Sequence, residues 1–335
     1  MKRSRPTGRL YQAVSVSLPP WLQDLALTIA EYADYILPKG VRVAVLCIER
    51  PARLLSRPIG LQLHIGRRQL YVLDAYRLWV ISSSQPDRVC HCWHIPQSLP
   101  KSLSSETSHH CRCLVLDERG DRVYLWNYAV QRLLVLDAVT GQTLGHFEIG
   151  LRALTRKRSD GALVNIVSMA LDEDRRLLYV AASNGPKSGM VLVLHADTGL
   201  TVSVLRLAFL KSHEICALAL DGEREHLIVC TFNEQPSLHM LRLSDGRVMQ
   251  TFLVPSVYSQ PRQMLVVGAN VLMSFTDSAF IWTWHIPENN TGTSAVLDRE
   301  SKCIKTRDNG YLFAREPNNG TVYCACQTGT IDVFV

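Results

Sequence analysis

The sequence predicts an all-β chain: a β-propeller of about six four-stranded blades, closed by an N-terminal strand and preceded by one amphipathic helix. Three observations predict it. From residue 61 onward an apolar strand, a polar turn opening on Asp and a second strand rich in Leu, Tyr and Val recur. The turn aspartates Asp117, Asp172 and Asp221 stand 55 and 49 residues apart, near the period of about 40–50 residues expected for a blade. The last repeat supplies three strands only, while an unpaired apolar strand stands near the N-terminus.

In chain order, residues 1–17 read as a basic flexible tail, with Lys2, Arg3, Arg5 and Arg9 and no acid before Asp24. Pro6 and Gly8 oppose the amphipathic helix of an organelle transit peptide. Residues 18–40 change period. Trp21, Leu22, Leu25, Ile29, Tyr32 and Ile36 form a stripe spaced by three and four, with Pro19 and Pro20 suited to a helix start and Pro38 and Gly40 to its stop. The stripe predicts a helix docked on the propeller, burying Trp21, Leu25, Ile29 and Tyr32. The alternative makes those four residues a partner-binding face.

Residues 41–335 carry the repeats. Val41–Ile48 is the unpaired strand; placed beside the C-terminal Thr330–Val335, it closes the ring and leaves no open sheet edge. Leu61–Ile65, Leu70–Leu73, Leu78–Ser82 and Val89–His94 form the first blade. Three sharper copies follow. Cys113–Asp117 leads into Val123–Trp126, Ser168–Asp172 into Leu177–Ala181, and Ala217–Asp221 into Leu227–Cys230. Third strands end in turns closed by Gly141, Gly199 and Gly246, where glycine supplies positive φ, and Thr143–Ile149, Val202–Leu207 and Val248–Val254 complete the units. Met264–Val267, Val271–Phe275, Phe280–His285 and Thr293–Leu297 are expected to form the next blade, and Tyr311–Ala314 and Thr321–Cys326 begin the last.

With those motifs in view, the run Met169–Leu207 resembles the blades of NHL-repeat and YVTN-type β-propellers. The terminal Thr328–Phe334 resembles the end of an NHL blade. The chain has no Trp-Asp dipeptide, and its one Gly-His pair is Gly145-His146, which argues against a WD-repeat propeller. The Leu18-Pro19-Pro20 opening of the helix faintly resembles the first helix of an F-box, although a full F-box needs more than one helix.

Charge and cysteine usage narrow the partners. The net charge is +6, but residues 1–60 hold 9 basic and 4 acidic side chains, leaving 27 against 26 for the remainder. A nearly neutral folded body offers no phosphate-binding patch, so no nucleic-acid partner is expected. The densest basic run, Arg152 with Arg156, Lys157 and Arg158, reads as a solvated loop. No apolar run nears the roughly 18 residues that cross a bilayer, so no membrane role is expected. The ten cysteines are expected to be reduced and metal-free, in a cytoplasmic setting; the basic N-terminus is also compatible with a nucleus or organelle. One metal alternative stands out. Cys90 with Cys92 and Cys111 with Cys113 would each present two thiols on one strand face, near His91, His94, His109 and His110, yet the one-residue gap is not the usual zinc knuckle.

No Gly-x-Ser-x-Gly elbow, phosphate loop or His-Glu-x-x-His motif occurs. Asp117, Asp172 and Asp221 recur by repeat position and are read as turn residues bonding their own backbone. No catalytic residue, cofactor or metal is therefore assigned. The expected function is a non-enzymatic scaffold for protein partners. The alternatives are a propeller hydrolase of the lactonase-like kind, an RNA-binding NHL-like domain and an F-box-like ubiquitin-ligase adaptor.

Overall fold

A computed structural model describes residues 43–46, 58–74, 77–84, 89–95, 111–127, 130–149, 165–183, 189–207, 214–232, 236–254, 260–276, 278, 280–286, 295–296, 299–305, 310–318, 320–326 and 331–334. All regular structure among them is β. The expected helix at 18–40, with Trp21, Leu25, Ile29 and Tyr32, lies outside the described residues, as does the tail before it.

The strands form six sheets, the blades of a propeller, in each of which four strands pair antiparallel. The first strand, β1 (Val43–Leu46), precedes blade 1, which holds β2 (Gly60–His64), β3 (Gln69–Leu73), β4 (Arg77–Ser82) and β5 (Val89–His94). Blade 2 holds β6 (Cys111–Asp117), β7 (Arg122–Asn127), β8 (Arg132–Asp137) and β9 (Thr143–Phe147). Blade 3 holds β10 (Asn165–Asp172), β11 (Leu177–Ser183), β12 (Gly189–His195) and β13 (Thr201–Arg206). Blade 4 holds β14 (Glu214–Asp221), β15 (His226–Phe232), β16 (Ser237–Arg242) and β17 (Val248–Leu253). Blade 5 starts with β18 (Pro261–Val267), β19 (Asn270–Phe275) and β20 (Phe280–His285). The chain then makes a two-residue strand, β21 (Ala295–Val296), before β22 (Arg299–Lys305) completes blade 5. Blade 6 holds β23 (Gly310–Arg315), β24 (Val322–Cys326) and β25 (Ile331–Phe334).

Strand β1 closes the ring. It pairs antiparallel with β25, Val43 opposite Phe334 and Leu46 opposite Ile331, as the outermost strand of blade 6. The reason is the one anticipated: an unpaired edge of N–H and C=O groups invites pairing, and the chain's other end satisfies it.

One expectation is corrected. Thr293–Leu297 does not form the outer strand of blade 5; β22 does, and β21 joins blade 4, parallel to β17. An outer strand has little to bury, as the largely exposed β9 and the first half of β13 show. The charged run Arg-Glu-Ser-Lys-Cys-Ile-Lys therefore suits that place, and an apolar pattern is a poor guide to it.

The core lies between blades rather than within them. Six buried apolar clusters each join two neighbouring sheets, one at every seam of the ring. The 2–3 seam packs Tyr124, Trp126 and Val135 against Ile166, Leu178 and Leu192. The 6–1 seam, sealed across the chain ends, packs Tyr323 and Ile331 against Leu61 and Trp79. Each sheet is thus apolar on both faces, which explains why the strands read as continuous hydrophobic runs rather than as alternations.

Candidate interaction face

Two kinds of turn gather on one face of the ring, those after the first strand and those after the third. In blade 2 they touch, Ala138 donating its N–H to the Asp121 carbonyl; in blade 3 Ala196 does so to Arg176, and in blade 4 Leu243 to Glu225. The first-strand turn is built alike in each. Asp117, Asp172 and Asp221 accept the backbone N–H of Gly120, Arg175 and Arg224 at 2.8, 2.9 and 3.1 Å. His64 takes that place in blade 1, its Nδ1 accepting the Arg67 N–H at 3.3 Å. The residue before the second strand, Arg68, Asp121, Arg176 or Glu225, has φ between +49 and +57° in all four. The turn reading of the aspartates therefore holds, yet their carboxylates are buried, which a polar turn did not foretell.

Burial demands a partner for each charge: Arg175 and Arg224 of the same turns reach Asp172 and Asp221 at 3.0 and 3.4 Å, and for Asp117 the next blade supplies it. Arg176 forks onto the wholly buried Asp117, Nη1 to Oδ1 at 2.9 Å and Nη2 to Oδ2 at 2.7 Å, and also reaches Asp197. These hydrogen bonds hold the Arg176 guanidinium charged and pull the Asp197 carboxyl below its ordinary value. Arg67 pairs with Asp121, and Arg175 with Glu225. A second relay runs beside these ion pairs. Glu118 accepts the N–H of Ile65 and Gly66 in blade 1, and its own N–H goes to Glu173 of blade 3, whose carboxyl burial pushes up. A third uses the tyrosine of the second strand. Tyr71 and Tyr124 donate their hydroxyls to the Ala138 and Ala196 carbonyls one blade on, and burial pushes the Tyr71 hydroxyl up to about 12.

The third-strand turns add a further seam. Gly141 and Gly199 have φ of +71 and +70°, and each leaves no room for a side chain: a Cβ would collide with the Trp93 or Phe147 ring on the outer strand of the preceding blade. Gly246 meets Leu205 in the same way. Beyond these glycines the outer strand bulges. Register shifts leave Leu144, Val202 and Met249, each three residues after its glycine, as the extra residue in β9, β13 and β17. All three are exposed. With Val139 and Leu200 in the adjoining turns they are the exposed large apolar side chains among the described residues, and all five lie at this one corner of blades 2, 3 and 4. The contacts Phe147–Gly199 and Leu205–Gly246 join the three corners into a belt. Gly-x-x-apolar, in Gly141–Leu144, Gly199–Val202 and Gly246–Met249, was the available signal.

The metal alternative fares differently. A bulge at Cys90 breaks the period of two, so Cys90 turns with Trp93 into the 1–2 seam while Cys92 stands opposite Trp79, which packs in the 6–1 seam. The two thiols do not share a face. His109, His110 and the basic run at Arg152–Arg158 lie outside the described residues, among which no three His, Cys, Asp or Glu side chains gather as a metal set. None of the described residues forms a helix long and apolar enough to cross a membrane.

No protein-family model matches the chain, and no curated protein is similar to it. Among solved structures 1553 chains are similar. One of them is the hydrazine synthase of Kuenenia stuttgartiensis, with a TM-score of 0.59 and 10% identity, over 84% of this chain and 96% of that one. That likeness is one of fold alone. It carries no activity across.

Proposed function

We propose that the protein is a non-enzymatic scaffold that binds protein partners along the corner belt of blades 2–4. The observation that carries this reading is the confinement, among the described residues, of the exposed large apolar side chains to that belt, three of them at one repeated bulge position. An apolar row held on a rigid ring, where side-chain ordering costs little on binding, is the kind of surface that recognises protein. The likeness of the Leu-Tyr-Val strand and Asp-Thr-Gly turn to NHL-repeat and YVTN-type blades supports it as an analogy of fold. The stripe Trp21, Leu25, Ile29 and Tyr32 is a second candidate contact for a partner. Four described cysteines, Cys90, Cys92, Cys216 and Cys230, are free thiols, which supports a reducing, cytoplasmic setting.

The test is affinity capture with quantitative mass spectrometry, comparing the full chain with a Leu144→Glu, Val202→Glu, Met249→Glu variant. Loss of specific partners with an unchanged melting temperature is the expected result. Identical partners on both would remove the belt from the function.

A further inference from the structure

We infer that His64 is a pH-operated clasp across the 1–2 seam: as an imidazolium it grips two carboxylates of blade 2, and as a neutral imidazole it lets go. His64 stands where the other turns carry Asp117, Asp172 and Asp221, and the exchange reverses the chemistry of the position. Those aspartates are matched by Arg176, Arg175 and Arg224, guanidinium groups that stay charged throughout. In blade 1 the carboxylates come from the neighbouring blade instead. The residue facing them is a histidine, the side-chain type whose charge ordinarily changes between about pH 5 and 8. His64 is 4% exposed. Its Nδ1 lies 3.1 Å from Glu118 Oε2 and its Nε2 3.6 Å from Asp121 Oδ1, both on the first-strand turn of blade 2.

The two arrangements differ in where the ring protons sit. Nδ1 is contested: the Arg67 N–H, 3.3 Å away, needs a lone pair there, while Glu118 Oε2 needs a proton. A neutral ring with its proton on Nε2 caps its own turn through Arg67 but sets a lone pair against the Glu118 carboxylate. A neutral ring with its proton on Nδ1 satisfies Glu118 and leaves the buried Nε2, which makes no hydrogen bond, lone pair to lone pair with Asp121. Only the imidazolium presents a proton to both carboxylates, and it gives up the Arg67 N–H to do so. Three elements supply the charged and titratable groups around the ring. Blade 2 brings Glu118 and Asp121, the residue's own turn brings Arg67, and β3 brings Tyr71, its ring 6.3 Å away and its hydroxyl pushed up to about 12, so that it stays neutral. Arg67 holds Asp121 Oδ1 at 2.7 Å and competes for it, which makes Glu118 the stronger arm of the clasp. Glu118 also accepts the N–H of Ile65 and Gly66 at 2.9 and 3.2 Å, so fixing its carboxylate fixes the turn of blade 1 against blade 2.

Amide hydrogen exchange on the full chain tests the clasp, read as protection factors so that the pH dependence of free amides is removed. Between about pH 8 and about pH 5.5 a histidine gains its proton while ordinary carboxylates keep their charge. Over that span the protection of Ile65 and Gly66 should rise about tenfold, the effect of one hydrogen bond gained by a charged group. Amides of β11 and β15 should keep theirs. His64→Asn retains an acceptor for the Arg67 N–H and has no proton to gain, so its Ile65 and Gly66 amides should hold one protection factor across the span. Should that variant fail to fold, Glu118→Gln with Asp121→Asn leaves His64 in place, removes both charges it grips and should be equally flat. A flat wild type, a rise of the same size in whichever variant folds, or a rise shared by β11 and β15 would overturn the inference.

Discussion

Arg176 shows how much one side chain can hold at a blade seam. It neutralises a carboxylate with no exposed surface and does so from the neighbouring blade. Arg176→Met should cost about 3–5 kcal/mol, because an unpaired buried charge remains, and Asp117→Asn in the same chain should recover part of it; chemical denaturation of the single and double variants measures both. Protonation gives a second handle. Asp137 is held low chiefly by the Thr140 N–H, and Asp197 by Arg176. A depressed carboxyl contributes stability that is present above its unfolded value of about 3.9 and is lost as pH falls through the folded value. Melting temperature should therefore drop below about pH 4, and Asp137→Asn with Asp197→Asn should flatten that limb. Thiol chemistry follows burial. Cys216 is pushed up to about 12 and Cys230 is fully buried. Peptide mapping after brief alkylation should find Cys92 modified and these two protected until the chain unfolds.

Strands and turns repeat one plan, and the repeats explain the residues that announced it. Tyr in the second strand latches the next blade's turn; the turn Asp caps its own backbone; the turn Gly lets two blades touch. Gly141→Ala should cost about 2–5 kcal/mol, from left-handed strain plus the collision with Trp93, whereas Gly145→Ala, at an open site, should leave the melt nearly unchanged. The expected helix at Trp21–Ile36 stays a separate question with its own measurement. If it packs on the propeller, Leu25→Ala and Ile29→Ala should each lower stability by about 2–5 kcal/mol. If it binds a partner, the same changes leave the melt alone and abolish association, and the ubiquitin-ligase adaptor reading gains.

At the scale of the ring, cooperativity should depend on the seam that joins the two ends of the chain. Deleting residues 1–50 removes β1, exposes the edge of β25 and should cause aggregation or a large fall in melting temperature, while deleting residues 1–15 should do little. A truncated chain that stays monomeric with its melt unchanged would contradict the closure seen between Val43–Leu46 and Ile331–Phe334. Because every buried cluster spans a seam, loss of one blade opens two.

Most of the architecture was legible in the chain because its signals are local. Apolar runs, Asp turns and Gly turns depend on residues a few positions apart, so four blades, the closing strand and the three-stranded remainder could be read without coordinates. The reading failed where the signal was not local. Arg299–Lys305 is charged because an outer strand buries little, so β22 hid behind the more apolar Thr293–Leu297. The bulge that parts Cys90 from Cys92 arises from pairing with β4 and leaves no period in the strand itself. Tertiary structure alone decided which charges are buried and which apolar residues are not. Asp117 lies 59 residues from Arg176 and Leu144 lies 58 from Val202, and only closure of the ring brings the first pair into contact and sets the second on one belt.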